Sequence, residues 1–174
     1  YRYRNLTTNS MSGIFLKPDG TAFYTANTDN VVRGHDLSIP WDISTADFHS
    51  ASSSTLSMRG MYFSLDGTKL FFVERRSSTA YYVRFYNLST PWDITSMSID
   101  STEYDLMNEI GTQPSSLTFS SDGRRLYVSE SNYGNDNYIH QFSLSVSWDI
   151  STISYVATSP LFGPNASFTN NIKG

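Results

Sequence analysis

The chain has 174 residues, of which 39% are apolar, 15% aromatic and 16% charged, with a formal net charge of −4 and no cysteine. That is enough length and apolar content for one buried core, and the missing cysteine excludes disulfides, thiolate metal sites and cysteine nucleophiles. With no run of like charges and no apolar stretch near the roughly 18 residues of a membrane span, nucleic acid and membrane are set aside as partners.

Few charges and many Ser, Thr and aromatic residues favour strands over surface helices. In chain order, residues 1–8 read as a weak strand that the rest of the chain explains. From Gly13 an alternating run (Ile14, Leu16) leads into Asp19-Gly20, a hairpin signal whose two turn positions are both expected at positive φ. A second strand follows around Phe23, then a polar connection over 27–30, a third strand ending in Leu37, the segment Pro40-Trp41-Asp42-Ile43 and a weaker fourth strand near 46–51. The order recurs from Gly60: Met61 and Phe63, Asp66-Gly67, a strand over 70–73, a connection over 75–79, Leu88, Pro91-Trp92-Asp93-Ile94 and a strand within 97–104. It recurs again from Ser116: Leu117 and Phe119, Asp122-Gly123, a strand over 126–128, a connection over 131–137, Leu144, Ser147-Trp148-Asp149-Ile150 and a strand over 153–158.

The turn glycines lie 47 and 56 residues apart, the spacing of a propeller blade and too long for most helical repeats. A four-stranded meander cannot bury both of its faces alone, so such units stack around an axis. The expected fold is all-β: antiparallel four-stranded β-propeller blades, a partial window on a larger or multi-chain propeller. The expected division is 12–58, 59–113 and 114–169 as blades, 1–11 as the outer strand of a preceding blade and 170–174 as the start of the next. A ring needs about four to eight blades, so closure is expected from further sequence or other chains.

The pattern F-S-x-D-G-x-x-L-Y-V … L-S-T-P-W-D-I-S-T resembles a repeat of bacterial and phage β-propeller proteins of mostly unassigned function, and it covers nearly the whole chain. The motif is specific for fold and nearly silent on activity. The eukaryotic WD-repeat is only superficially similar, since Gly34-His35 lies six residues before Trp41-Asp42 and the other units lack it.

The repeated residues Asp19, Gly20, Trp41, Asp42, Asp66, Gly67, Trp92, Asp93, Asp122, Gly123, Trp148 and Asp149 are read as the structural motif. The Trp side chains are expected to pack between blades, a sugar-stacking platform being the alternative. Asp42, Asp93 and Asp149 each precede a Ser or Thr by two residues, which suits turn capping better than cation binding. The loops at 27–30 and 132–137 carry the hard oxygens calcium takes, without the spacing of a calcium loop, so they are read as surface turns and no cofactor is assigned. His35, His49 and His140 occupy three different repeat positions and are expected to be solvated or half-buried rather than metal ligands. Arg75-Arg76 and Arg124-Arg125 are read as solvated blade edge, and Asn5, Asn87 and Asn165 head glycosylation sequons of low specificity. Neither G-x-S-x-G, H-E-x-x-H nor a phosphate-cradling loop is present. The expectation is therefore a non-enzymatic extracellular or particle-surface module, building a fibre, surface layer or adhesive appendage with other copies or repeats of itself. A glycan- or protein-binding propeller is the second reading, and an enzyme with its catalytic residues elsewhere the third.

Overall fold

The computed structural model describes residues 10–54, 56–131 and 137–160. The outer strand expected within 1–11 falls almost wholly outside these, as do the further blade expected at 170–174, two of the sequons and most of the 132–137 loop.

Three antiparallel meanders follow one another. Blade 1 is β1 (Met11–Leu16), β2 (Ala22–Asn27), β3 (Val31–Leu37) and β4 (Ala46–Ser53). Blade 2 is β5 (Met58–Phe63), β6 (Lys69–Ser77), β7 (Ala80–Leu88) and β8 (Met97–Ile99), with β9 (Tyr104–Asp105) also pairing β7. Blade 3 is β10 (Pro114–Phe119), β11 (Arg125–Glu130), β12 (Ile139–Leu144) and β13 (Ile153–Thr158). This is β-propeller architecture, with the first strand of each blade innermost.

The first hairpin of each blade departs from the sequence expectation. Only the glycine has positive φ (72°, 71° and 67° at Gly20, Gly67 and Gly123), so the turn is not a two-residue one with both positions left-handed. It spans four residues instead and is closed by the glycine N–H, which donates to Lys17, Ser64 or Ser120 O at 2.8–2.9 Å. The Asp is there for its side chain: Asp19, Asp66 and Asp122 accept from the backbone N–H two residues on, at 2.9, 3.0 and 3.0 Å.

Each turn glycine is held from above by the Trp of its own blade. The Trp backbone N–H donates to the glycine carbonyl at 2.9, 3.0 and 3.1 Å in blades 1 to 3. A Cβ on Gly20, Gly67 or Gly123 would meet the indole at 2.4, 2.3 and 2.3 Å, so no larger residue fits under the ring. The Trp residues themselves have φ of 68°, 68° and 62°, a left-handed conformation that L-residues adopt only when their surroundings hold it. Asp42, Asp93 and Asp149 then cap a single 3₁₀ turn, accepting from the N–H of Ser44, Thr95 and Ser151 at 3.0, 2.9 and 3.0 Å.

Blade 2 is buried on both faces, as the strict alternation of β6 requires. Leu70 and Phe72 join Ala22, Tyr24, Ala26 and Val32 of blade 1, while Phe71 and Val73 join Leu117, Leu126 and Phe142 of blade 3. Near the axis the inner strands approach closely: a Cβ on Gly13 would lie 3.0 Å from the Gly60 backbone, and one on Gly60 2.8 Å from Ser116 Cα. Gly13, Gly60 and Ser116 hold the same repeat position, so small residues there set the tightness of the ring.

Candidate ligand site at the axial mouth

Each inner strand carries a one-residue bulge at the end where the chain enters it: between Met11 and Gly13, between Arg59 and Tyr62, and between Pro114 and Ser116. A bulge re-aims the side chains beside it. Here the repeat-equivalent residues at or next to the bulge are Ser12, Arg59 and Ser115, and all three line one cavity of about 370 Å³. Thr28, Ser57, Met58 and Arg75 complete its described lining. Thr28 and Arg75 are themselves repeat equivalents, each just after the last residue that the second strand pairs with the inner one, and Arg75 N–H donates to Ser57 O at 2.9 Å.

The electrostatics of this mouth are one-sided. Arg33 pairs with Asp29 at 2.8 Å, and Arg76 and Arg84 share Glu74 and Glu103. Arg59 and Arg75 have no carboxylate partner among the described residues: Arg59 lies over the Tyr81 ring at 5.6 Å, and Arg75 Nε donates to Ser77 O at 3.4 Å. Among the described residues, four hydroxyl-bearing and two guanidinium-bearing residues line the space, and none that carries a carboxylate or imidazole.

Under the mouth runs a repeated polar bridge between the second and third strands. Its positions are Asn27 and Arg33 in blade 1, Glu74 and Arg84 in blade 2, Glu130 and His140 in blade 3, with Glu74–Arg84 at 3.1 Å and Glu130–His140 at 3.2 Å. His140 is buried, not solvated or half-buried as expected; its Nδ1 faces Thr158 Oγ at 3.1 Å, and Glu130 also accepts from Thr112. His35 is half-buried and stacked on Phe23 at 4.7 Å, its pKa lowered by that burial, and exposed His49 contacts Asp36 at 3.1 Å.

The structure does not bring the motif residues to this mouth; they sit at the opposite end of the strands. Trp92 packs on Phe15 and Tyr24 of blade 1, and Tyr24 OH, pushed up to about 12 by burial, donates to Trp92 O at 2.8 Å. Trp148 packs on Tyr62 and Phe71 of blade 2. Asp42, Asp93 and Asp149 are held below the usual carboxylate range by the hydroxyl and then the N–H of the residue they cap. In the 27–30 loop, Asp29 is engaged by Arg33 and by the Val31 N–H. Arg75, read as solvated edge, is exposed and also lines the mouth. Repeat alignment was the signal that could have found it: Arg59 stands where the other units have Ser12 and Ser115, and Arg75 where blade 1 has Thr28.

No family model and no curated protein sequence matches the chain, so the likeness of its repeat to bacterial and phage propellers stands on the motif alone. Among solved structures it is similar to one from Bacteroides uniformis described as a "putative 6-phosphogluconolactonase", with TM-score 0.56 and 16% identity over 88% of this chain and 42% of that one. A second, from Bacteroides fragilis and described in the same words, gives TM-score 0.50 and 16% identity over 82% of this chain and 36% of that one. The β-propeller domain of Cps50 from Myceliophteria thermophila gives TM-score 0.48 and 14% identity over 86% of this chain and 43% of that one. The chain thus spans less than half the length of each, and at these identities the likeness shows the fold. It nevertheless corrects the expectation of a non-enzymatic fibre, surface-layer or adhesive module. The repeats suggest units of an extended assembly, whereas two solved structures similar to this chain are described as putative 6-phosphogluconolactonases, and an architectural role no longer follows from the repeat.

Among the described residues no helix is long and apolar enough to cross a membrane. The described residues therefore form three consecutive β-propeller blades, closely stacked, with Arg59 and Arg75 at a shared mouth where no described carboxylate pairs with them.

Proposed function

We propose that these blades form the phosphate-capturing part of a propeller that binds a phosphorylated sugar acid or its lactone at the axial mouth. The observation that carries this reading is the pair Arg59 and Arg75, the cations of the mouth that no described carboxylate neutralises, set among Ser12, Thr28, Ser57 and Ser115. Guanidinium donors match phosphate oxygens in geometry as well as charge, and hydroxyls suit the remaining oxygens of a sugar acid. The descriptions of the Bacteroides structures supply the ligand class. Lactone hydrolysis also needs a base for the attacking water. The described lining holds neither carboxylate nor imidazole, so these blades contribute capture rather than proton transfer.

The test is calorimetric titration of the chain with 6-phosphogluconate and with gluconate. Binding of the phosphorylated compound alone is expected, weakened about tenfold or more in Arg59→Ala and again in Arg75→Ala, the scale of losing a charge-assisted hydrogen bond. Equal binding of both compounds, or binding untouched by either substitution, overturns the reading.

A further inference from the structure

The two junctions between blades differ at one repeat position. Ala22 stands in blade 1 where Lys69 stands in blade 2, each paired in register with an equivalent third-strand residue, Asp36 or Asn87. In the junction of blades 2 and 3, Lys69 Nζ lies over the Phe85 ring at 4.7 Å and donates to Trp148 O at 3.0 Å. The same ammonium acts on two carboxylates. Asp149, lowered first by the Ser151 hydroxyl, and Asp100, lowered first by the Thr102 N–H, are both lowered further by Lys69.

The junction of blades 1 and 2 keeps the acceptors of this arrangement without its ammonium. Trp92 O and Asp93 are the equivalents of Trp148 O and Asp149, and Asp36 adds a carboxylate where blade 2 has the amide of Asn87. Beside Ala22 lies a cavity of about 190 Å³ whose lining includes Asp36, His49, Trp92 and Asp93. His49 is the bulged residue of β4, and its Nδ1 contacts Asp36 at 3.1 Å. Lys17 lies over the Trp92 ring at 5.7 Å, but its ammonium is tied to Asp19 at 2.9 Å and to the Thr21 hydroxyl at 3.2 Å. Tyr24 OH takes one lone pair of Trp92 O, and a carbonyl has two. We propose that this cavity binds a small primary ammonium compound, whose N–H groups stand in for Lys69 Nζ between Trp92 O and the carboxylates of Asp93 and Asp36. The cavity is smaller than the roughly 300–1,000 Å³ of a drug-sized pocket, so the rest of the ligand is a short chain or a single ring. This inference does not rest on the cationic mouth, which lies at the opposite end of the strands.

Titration of the 174-residue chain with butylammonium, a copy of the Lys69 side chain, and with glucosamine tests it, followed through the NMR shifts of the Ala22 methyl and the His49 ring. Saturable binding is expected, and the tighter probe tells an alkylamine from an amino sugar. Tetramethylammonium, with the charge but no N–H, and butanol, with the chain but no charge, are expected to bind about tenfold or more weakly, the scale of losing a charge-assisted hydrogen bond. Asp93→Asn, which keeps a capping side chain and therefore the circular dichroism of the parent, is expected to weaken the amine about tenfold or more, and Asp36→Asn to weaken it less. Ala22→Lys supplies the ammonium from the chain itself and is expected to abolish binding; if that variant does not fold, Asp93→Asn decides alone. No saturable shift with either amine, equal binding of tetramethylammonium, or amine binding indifferent to both Asp substitutions would each overturn the proposal.

Discussion

At the scale of single residues, the strongest demands fall where the sequence repeats most faithfully. Gly67 carries two constraints at once, a φ of 71° and an indole within 2.3 Å of where a Cβ would stand. The left-handed backbone alone costs an L-residue about 1–2 kcal/mol, and the displaced Trp92 ring adds about 1–3 kcal/mol of overpacking. Gly67→Ala is therefore expected to lower the denaturant midpoint by the equivalent of about 2–5 kcal/mol. Gly111→Ala, with nothing within 4 Å of its Cβ, is the matched control and is expected to stay within about 0.5 kcal/mol of the parent. Equal losses at the two sites would mean that the Trp-on-glycine contact is not what holds the turn. The capping carboxylates make a separate demand, on pH. Asp19 is lowered to about 2, first by the Thr21 hydroxyl and then by Lys17, and Asp42, Asp93 and Asp149 are lowered by the Ser or Thr each caps. A carboxylate with a depressed folded pKa contributes stability above its unfolded value near 4, and that stability is lost as pH falls through the folded value. The thermal midpoint is thus expected to fall progressively from pH 5 towards pH 2, and a flat profile in that window would count against the caps.

At the scale of the strand and its neighbours, the alternation that made the blades legible also hid the polar bridge. The apolar positions of β6 and the Asp-Gly pairs identified strands and hairpins, because both signals are local. The type of turn was misread, since Asp-Gly also fits a four-residue turn whose Asp works through its carboxylate. The positive φ of the three Trp residues had no sequence signal at all, being imposed by the glycine each one covers. Pairing of Glu74 with Arg84, and of Glu130 with His140, depends on the register between second and third strands, which only the aligned repeats could have suggested. Glu74 and Arg84 are 4% and 8% exposed, so the burial of their charges is tolerable only while they are paired. Arg84→Met, which leaves Glu74 buried with only Arg76, is expected to cost about 3–5 kcal/mol. The double change Glu74→Met with Arg84→Met is expected to recover most of that, since an apolar pair of similar volume carries no desolvation penalty. Chemical denaturation of the single and double variants decides it, and a double variant no better than the single would show that the bridge contributes more than it costs.

At the scale of the whole molecule, the three blades form a line of nearest-neighbour contacts, so what a residue contributes depends on which junction it occupies. The two internal junctions have their own cores, one of Tyr24, Phe63, Phe72 and Ile94, the other of Phe71, Phe119, Phe142 and Ile150. Trp92 and Trp148 are each packed against one of these, whereas Trp41, identical in motif and in backbone conformation, is largely exposed. Truncating a packed Trp removes its transfer energy and leaves a cavity, at about 3–5 kcal/mol. The same truncation at an exposed position removes little that water does not already reach. Trp92→Ala and Trp148→Ala are therefore expected to destabilise the chain by about 3–5 kcal/mol each. Trp41→Ala is expected to cost about 1 kcal/mol or less. The comparison separates the two things a repeated Trp can do. If the residue served chiefly to hold its own turn glycine, all three substitutions would cost the same, because that local contact is the same in every blade. A large difference between Trp41 and the other two places the energy in the junctions, and therefore in the number of blades that each copy of the motif can reach.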